Sequence, residues 1–202
     1  NNQYYVKKED DDKNVYLVSS SSIEPFMGTL YDFAESGTFP SVTSATITDV
    51  KVDKENSYEL TQDADNLFWN VSDGKTTEKA DTTKAGTVTS AIGSLAYDKF
   101  VDYNCTDDSK YGFDDPYAVI TVKYTEEEQE TQTVEKTLTI YVGDETGDDR
   151  YVKVDDSKEV YTITKDSLTD ILDSTMSDFY NLTVSYVSSN DLDSLEIGRA
   201  HV

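Results

Sequence analysis

Two stretches of this 202-residue chain are versions of one another. The opening segment NNQYYVKKEDDDKNVYLVSSSSIEPFMGTLYDF returns near the end as GDDRYVKVDDSKEVYTITKDSLTDILDSTMSDF. Tyr5, Val6 and Lys7 align with Tyr151, Val152 and Lys153, and Val15, Tyr16 and Val18 with Val160, Tyr161 and Ile163. Ser22, Ile23, Phe26 and Met27 align with Ser167, Leu168, Ile171 and Leu172, and Leu30, Asp32 and Phe33 with Met176, Asp178 and Phe179. Apolar character is kept where side chains would face a core, while surface positions drift. That pattern is duplication of one supersecondary unit, and it limits the fold to something that can hold such a unit twice.

Each copy reads as two strands and a helix. In the first, Tyr4–Lys8 and Val15–Ser19 flank the acidic turn Glu9–Asn14, and Ser21 or Ser22 caps a helix. Ile23, Phe26, Met27, Leu30 and Phe33 then form one apolar stripe at helical spacing. Pro25 is placed in the first turn, where a missing N–H costs nothing. In the second copy Asp166 or Ser167 caps, and Leu168, Ile171, Leu172, Met176 and Phe179 form the stripe. Between the copies, Ser44–Val52, Ser57–Gln62 and Leu67–Val71 read as short strands and Ser72–Thr83 as loop. Thr83–Leu95 reads as a helix with Ala85, Val88, Ile92 and Leu95 on one face. Lys99–Asn104 reads as a strand. Ala118–Tyr124 and Lys136–Val142 alternate well enough to pair as a hairpin, with the charged run TEEEQETQTVE as its solvated tip. Leu182–Val187 reads as a strand following the second helix.

The 41 acidic residues against 17 basic ones give a net charge of −24. Such a surface repels phosphate backbones and anionic headgroups, which argues against nucleic acid and against direct adsorption to lipid. Cys105 is the only cysteine, so no internal disulfide forms. No apolar run is long enough to span a bilayer and no signal peptide is recognisable. The sequence opens without Met inside a strand of the repeated unit, and reads as a piece of a longer protein, which leaves room for an N-terminal anchor and says nothing about localisation.

Little in the sequence announces a reaction. Gly143-Asp-Glu-Thr-Gly147 lacks the Lys-Ser/Thr of a phosphate loop and reads as a turn. His201, the only histidine, lies two residues from the end, where neither a catalytic triad nor a zinc site is expected. Cys105 has no basic neighbour in sequence to activate it. The Asp-rich turns lack the EF-hand pattern and leave room only for weak calcium binding; no other cofactor is indicated. Trp69 and Phe68 are weak candidates for stacking a sugar, although alternation within a strand sends one of them to the core. Tyr111-Gly-Phe-Asp-Asp-Pro-Tyr117 has the most local character: Gly112 permits a positive φ, Phe113 can tuck beneath the turn, and Pro116 suits a strand entry.

That motif, followed by KTLTIYVGDET and RYVKVDDSKEVYTITKDSLTDIL, resembles the bacterial domain-of-unknown-function 4340 family. Tyr111, Gly112, Pro116, Ile140, Gly143, Asp144, Thr146, Tyr151, Val152, Val160 and Tyr161 stand at the family's positions. Phe113 replaces the usual Leu, and Val142 separates Ile140 and Tyr141 from the glycine. The resemblance brings no catalytic residues with it. It implies an extracytoplasmic, membrane-anchored bacterial protein, accessory to an ABC-type transport system.

The expectation is therefore an α+β fold of antiparallel meanders with a repeated β-β-α unit and helices packed on the sheets. Residues 1–40 are expected to form the tail of one repeat unit, 41–181 a complete unit, and 182–202 a trailing strand and frayed terminus. The expected role is non-enzymatic: a cell-envelope interaction domain with a protein partner, an ABC-type permease. The alternatives are a carbohydrate- or cell-wall-binding module and, behind it, a carboxylate-based hydrolase.

Overall fold

The computed structural model describes residues 2–11, 13–34, 36–63, 68–128 and 132–181. The fold is α+β. Its main body is a nine-stranded antiparallel sheet, and a separate two-stranded sheet stands at the N-terminal side. The expected trailing strand Leu182–Val187 lies outside the described residues.

The small sheet pairs β1 (Gln3–Val6) with β2 (Tyr16–Ser19). Between them Asp11 accepts hydrogen bonds from the backbone amides of Lys13 and Asn14, which closes the acidic turn. A four-residue helix, α1 (Ser20–Ile23), follows at once, then a 3-10 turn over Glu24–Phe26 and a second short helix, α2 (Leu30–Phe33). The continuous helix expected here is therefore broken. With the helix starting at Ser20, Pro25 falls past the first turn, where its missing N–H and its ring no longer fit an α-helical ladder.

The large sheet consists of β3 (Ile47–Asp53), β4 (Tyr58–Gln62), β5 (Trp69–Ser72), β6 (Thr77–Lys79), β7 (Phe100–Asp102), β8 (Ala118–Glu128), β9 (Gln132–Thr146), β10 (Asp149–Val154) and β11 (Val160–Thr164). Their order is β6-β5-β4-β3-β8-β9-β10-β11-β7. Two differences from the sequence reading have simple causes. β6 occupies part of the stretch read as loop, because Thr-Glu-Lys carries no apolar signal while its backbone completes the ladder on β5. The β8–β9 hairpin also runs well into the charged segment, with Thr125 opposite Glu135 and Glu126 opposite Val134. Glu126, Glu127 and Glu128 follow one another without alternation, so this part of the strand is carried by the backbone ladder to β9 and by the Lys136–Glu126 pair rather than by an apolar pattern.

Helices α3 (Thr82–Gly93) and α4 (Lys165–Leu172) cover one face of the large sheet. Asp81 caps α3 by accepting from the amides of Thr83 and Lys84. Ala85, Val88 and Ile92 of α3 and Leu168, Ile171 and Leu172 of α4 share a core with Val50, Ile120, Ile140 and Val152. Tyr58 anchors this layer: its hydroxyl donates to the Ile171 carbonyl at 2.7 Å, and its ring lies 5.0 Å from that of Phe179. After α4, a 3-10 turn at Met176–Phe179 returns to the sheet, where the Asp81 amide donates to the Phe179 carbonyl.

The duplicated segments have duplicated geometry. In the second copy Tyr151 faces Thr162 and Val152 faces Tyr161; in the first Tyr5 faces Leu17 and Val6 faces Tyr16. Under the sequence alignment these pairs coincide, so the two hairpins have one register. Both hairpins lead directly into a helix, and α2 takes the place of the Met176–Phe179 turn.

Burial separates the copies. Leu168, Ile171, Leu172 and Phe179 are at most 4% exposed, whereas Phe26 is 79%, Met27 59% and Phe33 61% exposed. The first-copy stripe, expected to face a core, faces outward. Periodicity sets which side chains share a face; it does not supply a surface to cover them. Among the described residues, the two-stranded sheet and broken helices offer Phe26, Met27, Leu30 and Phe33 no sheet layer of the kind that encloses their counterparts.

Candidate interaction surface

The YGFDDP motif crosses the sheet face opposite the helices. Tyr141, Tyr151 and Val160 alternate with Val142, Val152 and Tyr161, so they project to that other face. There they meet Tyr111, Phe113 and Cys105 in a second, smaller core. A 3-10 turn at Asp108–Tyr111 carries the motif, and Gly112 ends it at φ 76°. A Cβ on Gly112 would collide with Asp144, and one on Gly143 would collide with the Tyr111 carbonyl and the Phe113 ring. The two glycines thus let the turn lie flat on β9. The Tyr111 hydroxyl donates to Asp102 at 2.8 Å, and its ring meets that of Tyr151 edge-on at 4.9 Å. Burial pushes the Tyr111 phenol up, and the Asn104 amide leads the donors that hold Asp102 below the ordinary carboxylate range. Pro116 sits half-buried just before β8. These residues form a buckle, and Tyr161 is not part of it.

Tyr161 belongs to an aromatic stack on the helix side. Its ring lies 3.8 Å from that of Tyr97, nearly parallel, and 4.9 Å from that of Phe100. Phe39 meets Tyr97 edge-on, and Tyr31 meets Phe100. The Gly37 amide donates to the Tyr161 hydroxyl at 3.0 Å, and that hydroxyl donates to Glu159. The stack therefore fastens the segment leaving α2 to the edge of the large sheet. A pocket of about 390 Å³ lies beside it.

The weak ligand candidates separate. Trp69 is buried in the main core, while Phe68 is exposed with the Lys79 ammonium 3.3 Å above its ring. Cys105 is buried, its thiol directed at the Asp107 carbonyl.

A cleft of about 550 Å³ borders the buckle, lined by Cys105, Asp108, Phe113, Tyr141, Lys153 and Asp155 among others. Three of its charged side chains are held in place. Lys153 contacts Asp108 at 2.7 Å, with its ammonium near the Phe113 and Tyr141 rings, and Asp155 accepts from the Thr139 amide. Elsewhere, Arg150 lies over the Tyr117 ring and binds Glu145 and the Gly143 carbonyl. Asp149, nearly buried, holds Lys99 at 2.6 Å. Asp11, Asp73, Asp102, Asp149 and Asp178 are each held below the ordinary carboxylate range by hydrogen-bond donors. A general acid needs the opposite shift. Among the described residues, no three or more ligating side chains gather into a metal cluster, and no helix is long and apolar enough to cross a membrane.

What remains unsatisfied is apolar. Phe26, Met27, Leu30 and Phe33 are exposed after the hairpin, and Tyr5, Val15 and Leu17 are exposed on it. Scattered exposed apolar residues are ordinary; a row whose aligned counterparts form a core is not.

The family model described as "Domain of unknown function (DUF4340)" matches residues 1–116 and again residues 69–201. The chain belongs to that family. Its first DUF4340 match opens on the N-terminal β-β-α unit and the second takes in the other unit, so the family pattern meets the chain twice. No curated protein and no solved structure matches it. Within this DUF4340 chain the buckle residues were accessible to sequence reasoning through their motif. The exposed face was not, since the same apolar pattern serves a core in one copy and a surface in the other. The Lys99–Asp149 pair and the Tyr97–Tyr161 stack left no local signal, because their partners are far apart in sequence.

Proposed function

We propose that this chain is a non-catalytic, extracytoplasmic interaction domain of a bacterial cell-envelope protein, accessory to an ABC-type transport system, with a permease as its protein partner. The observation that carries the interaction reading is the outward-facing apolar row Phe26, Met27, Leu30 and Phe33: three of these align with core residues, Ile171, Leu172 and Phe179, and Leu30 with Met176, which is partly buried against that core. Exposed apolar surface of this kind is what a protein partner covers. The surrounding acidity keeps such a face soluble and selects against nucleic acid and anionic lipid. The envelope setting and the permease come from the family resemblance.

The rival readings draw less support. The two aromatic residues singled out for stacking a sugar do not form a platform: Trp69 is buried and the Phe68 ring is capped by Lys79. A hydrolase needs a carboxylate held protonated, and the five shifted ones move the other way.

The test is a cross-linked pull-down of the full-length protein from native membranes, wild type against Leu30→Glu/Phe33→Glu. Recovery of a permease or its ATPase by the wild type, reduced at least ten-fold in the variant, is expected. Recovery of wall glycan with no transporter component would overturn the proposal.

A further inference from the structure

We infer that Tyr31 is a positioning residue: its ring, clamped at the edge of the large sheet, holds α2 in the orientation that turns Leu30 and Phe33 outward. The inference rests on the interaction reading above and names what presents that face. Under the repeat alignment Leu30, Tyr31 and Phe33 correspond to Met176, Ser177 and Phe179. In the second unit Met176 and Phe179 pack on the core and Ser177 is exposed. In the first unit the relation is reversed. Leu30 and Phe33 are exposed, while Tyr31 is half-buried, its ring meeting that of Phe100 edge-on at 5.5 Å. Tyr31 stands about 100° round the turn from Leu30 and roughly 160° from Phe33, so a contact that fixes Tyr31 against β7 directs the other two away.

A single helical turn has no stability of its own, since four residues fall far below the length at which a helix holds in water. The orientation of α2 is therefore set by what it touches. Phe100 stacks on Tyr161, Tyr161 on Tyr97, and Tyr97 takes the edge of the Phe39 ring. The chain is thus tied to this run of rings twice. Tyr31 sits on Phe100, and a few residues later the Gly37 amide donates to the Tyr161 hydroxyl at 3.0 Å. A Cβ on Gly37 would lie 2.7 Å from that hydroxyl, so the second tie needs the glycine. With both ties in place α2 does not roll, and an apolar face held before the encounter loses less conformational entropy when a partner covers it.

The test compares three variants. Tyr31→Ser installs the residue of the second unit, Tyr31→Phe keeps the ring, and Gly37→Ala displaces the second tie without removing a ring. The first readout is amide hydrogen exchange of this chain at Ala34, whose amide donates to the Leu30 carbonyl. Exchange there is expected to be at least ten-fold faster in Tyr31→Ser and in Gly37→Ala, and as in wild type in Tyr31→Phe, with β8 and β9 unchanged throughout. The second readout is the cross-linked pull-down of the full-length protein. Tyr31→Ser should recover at least five-fold less permease, and Tyr31→Phe should recover as much as wild type. Unchanged exchange at Ala34 in Tyr31→Ser would overturn the inference, as would faster exchange with undiminished permease recovery. If Leu30→Glu/Phe33→Glu abolishes recovery and Tyr31→Ser does not, the positioning role alone falls. If Leu30→Glu/Phe33→Glu leaves recovery intact, the interaction reading falls and the positioning role with it.

Discussion

The carbonyl of Tyr111 occupies the space that a side chain on Gly143 would need. The buckle therefore closes only because β9 carries a glycine at that point. The Phe113 ring lies against the same site, so there is no room for the turn to move aside without unpacking the second core.

Gly143→Ala should destabilise the protein by about 3 kcal/mol, the upper range for overpacking a closed site. Urea unfolding followed by circular dichroism gives the figure. A loss below about 1 kcal/mol would mean that the turn can lift off the sheet cheaply, and that the motif is not a structural fastener.

The duplicated unit supplies an internal control. Leu172 is 4% exposed and its aligned residue Met27 is 59% exposed. Leu172→Ala should cost about 3 kcal/mol through lost burial and a residual cavity. Met27→Ala should cost less than about 0.5 kcal/mol. Similar losses at both sites in parallel urea titrations would contradict the exposed first copy.

The Lys99–Asp149 pair predicts a pH signature. The Lys99 ammonium, followed by the Thr162 hydroxyl and other donors, holds Asp149 below its ordinary value of 3.8 in the folded state. A depressed folded value contributes stability that is present above the unfolded value and is lost as pH falls through the folded one. Asp149→Asn should therefore be less stable than wild type at neutral pH, with the gap narrowing below about pH 4. Comparing the two chains, rather than following wild type alone, removes the general relief of repulsion on acidification. A gap that stays constant from pH 7 to pH 2.5 would show that the loss is steric.

The parts of this architecture that were legible in sequence are those with a local code. The β8–β9 hairpin is written in alternation, α3 in its Ala85-Val88-Ile92 spacing, and the repeat in aligned residues. The rest depends on partners remote in sequence. Nothing near Thr77–Lys79 marks it as a strand, because its pairing is decided by the free edge of β5. Nothing near Phe26 reveals that the described residues leave it exposed, because the cover over Ile171 is built from β4 and other distant elements. The buckle was visible as a motif, yet its fit to Gly143 was not, since the two meet only once β9 and the turn are both in place.

The strand order has a consequence for how the chain reaches this state. Every neighbour in the large sheet is also a neighbour in sequence, except at the β3–β8 and β11–β7 seams. The large sheet is thus two local meanders, 3-4-5-6 and 8-9-10-11, with β7 added at the β11 edge, and the meanders join where Val50 faces Val122 and Asp53 faces Val119. Such meanders form from short loops, whereas the central seam must close a long one, and loop closure of that kind sets folding rates. The slow step should be the meeting of two nearly finished half-sheets. Truncating Val50 or Val122 to Ala should then slow refolding more than it speeds unfolding, and the reverse partition would place the seam after the barrier.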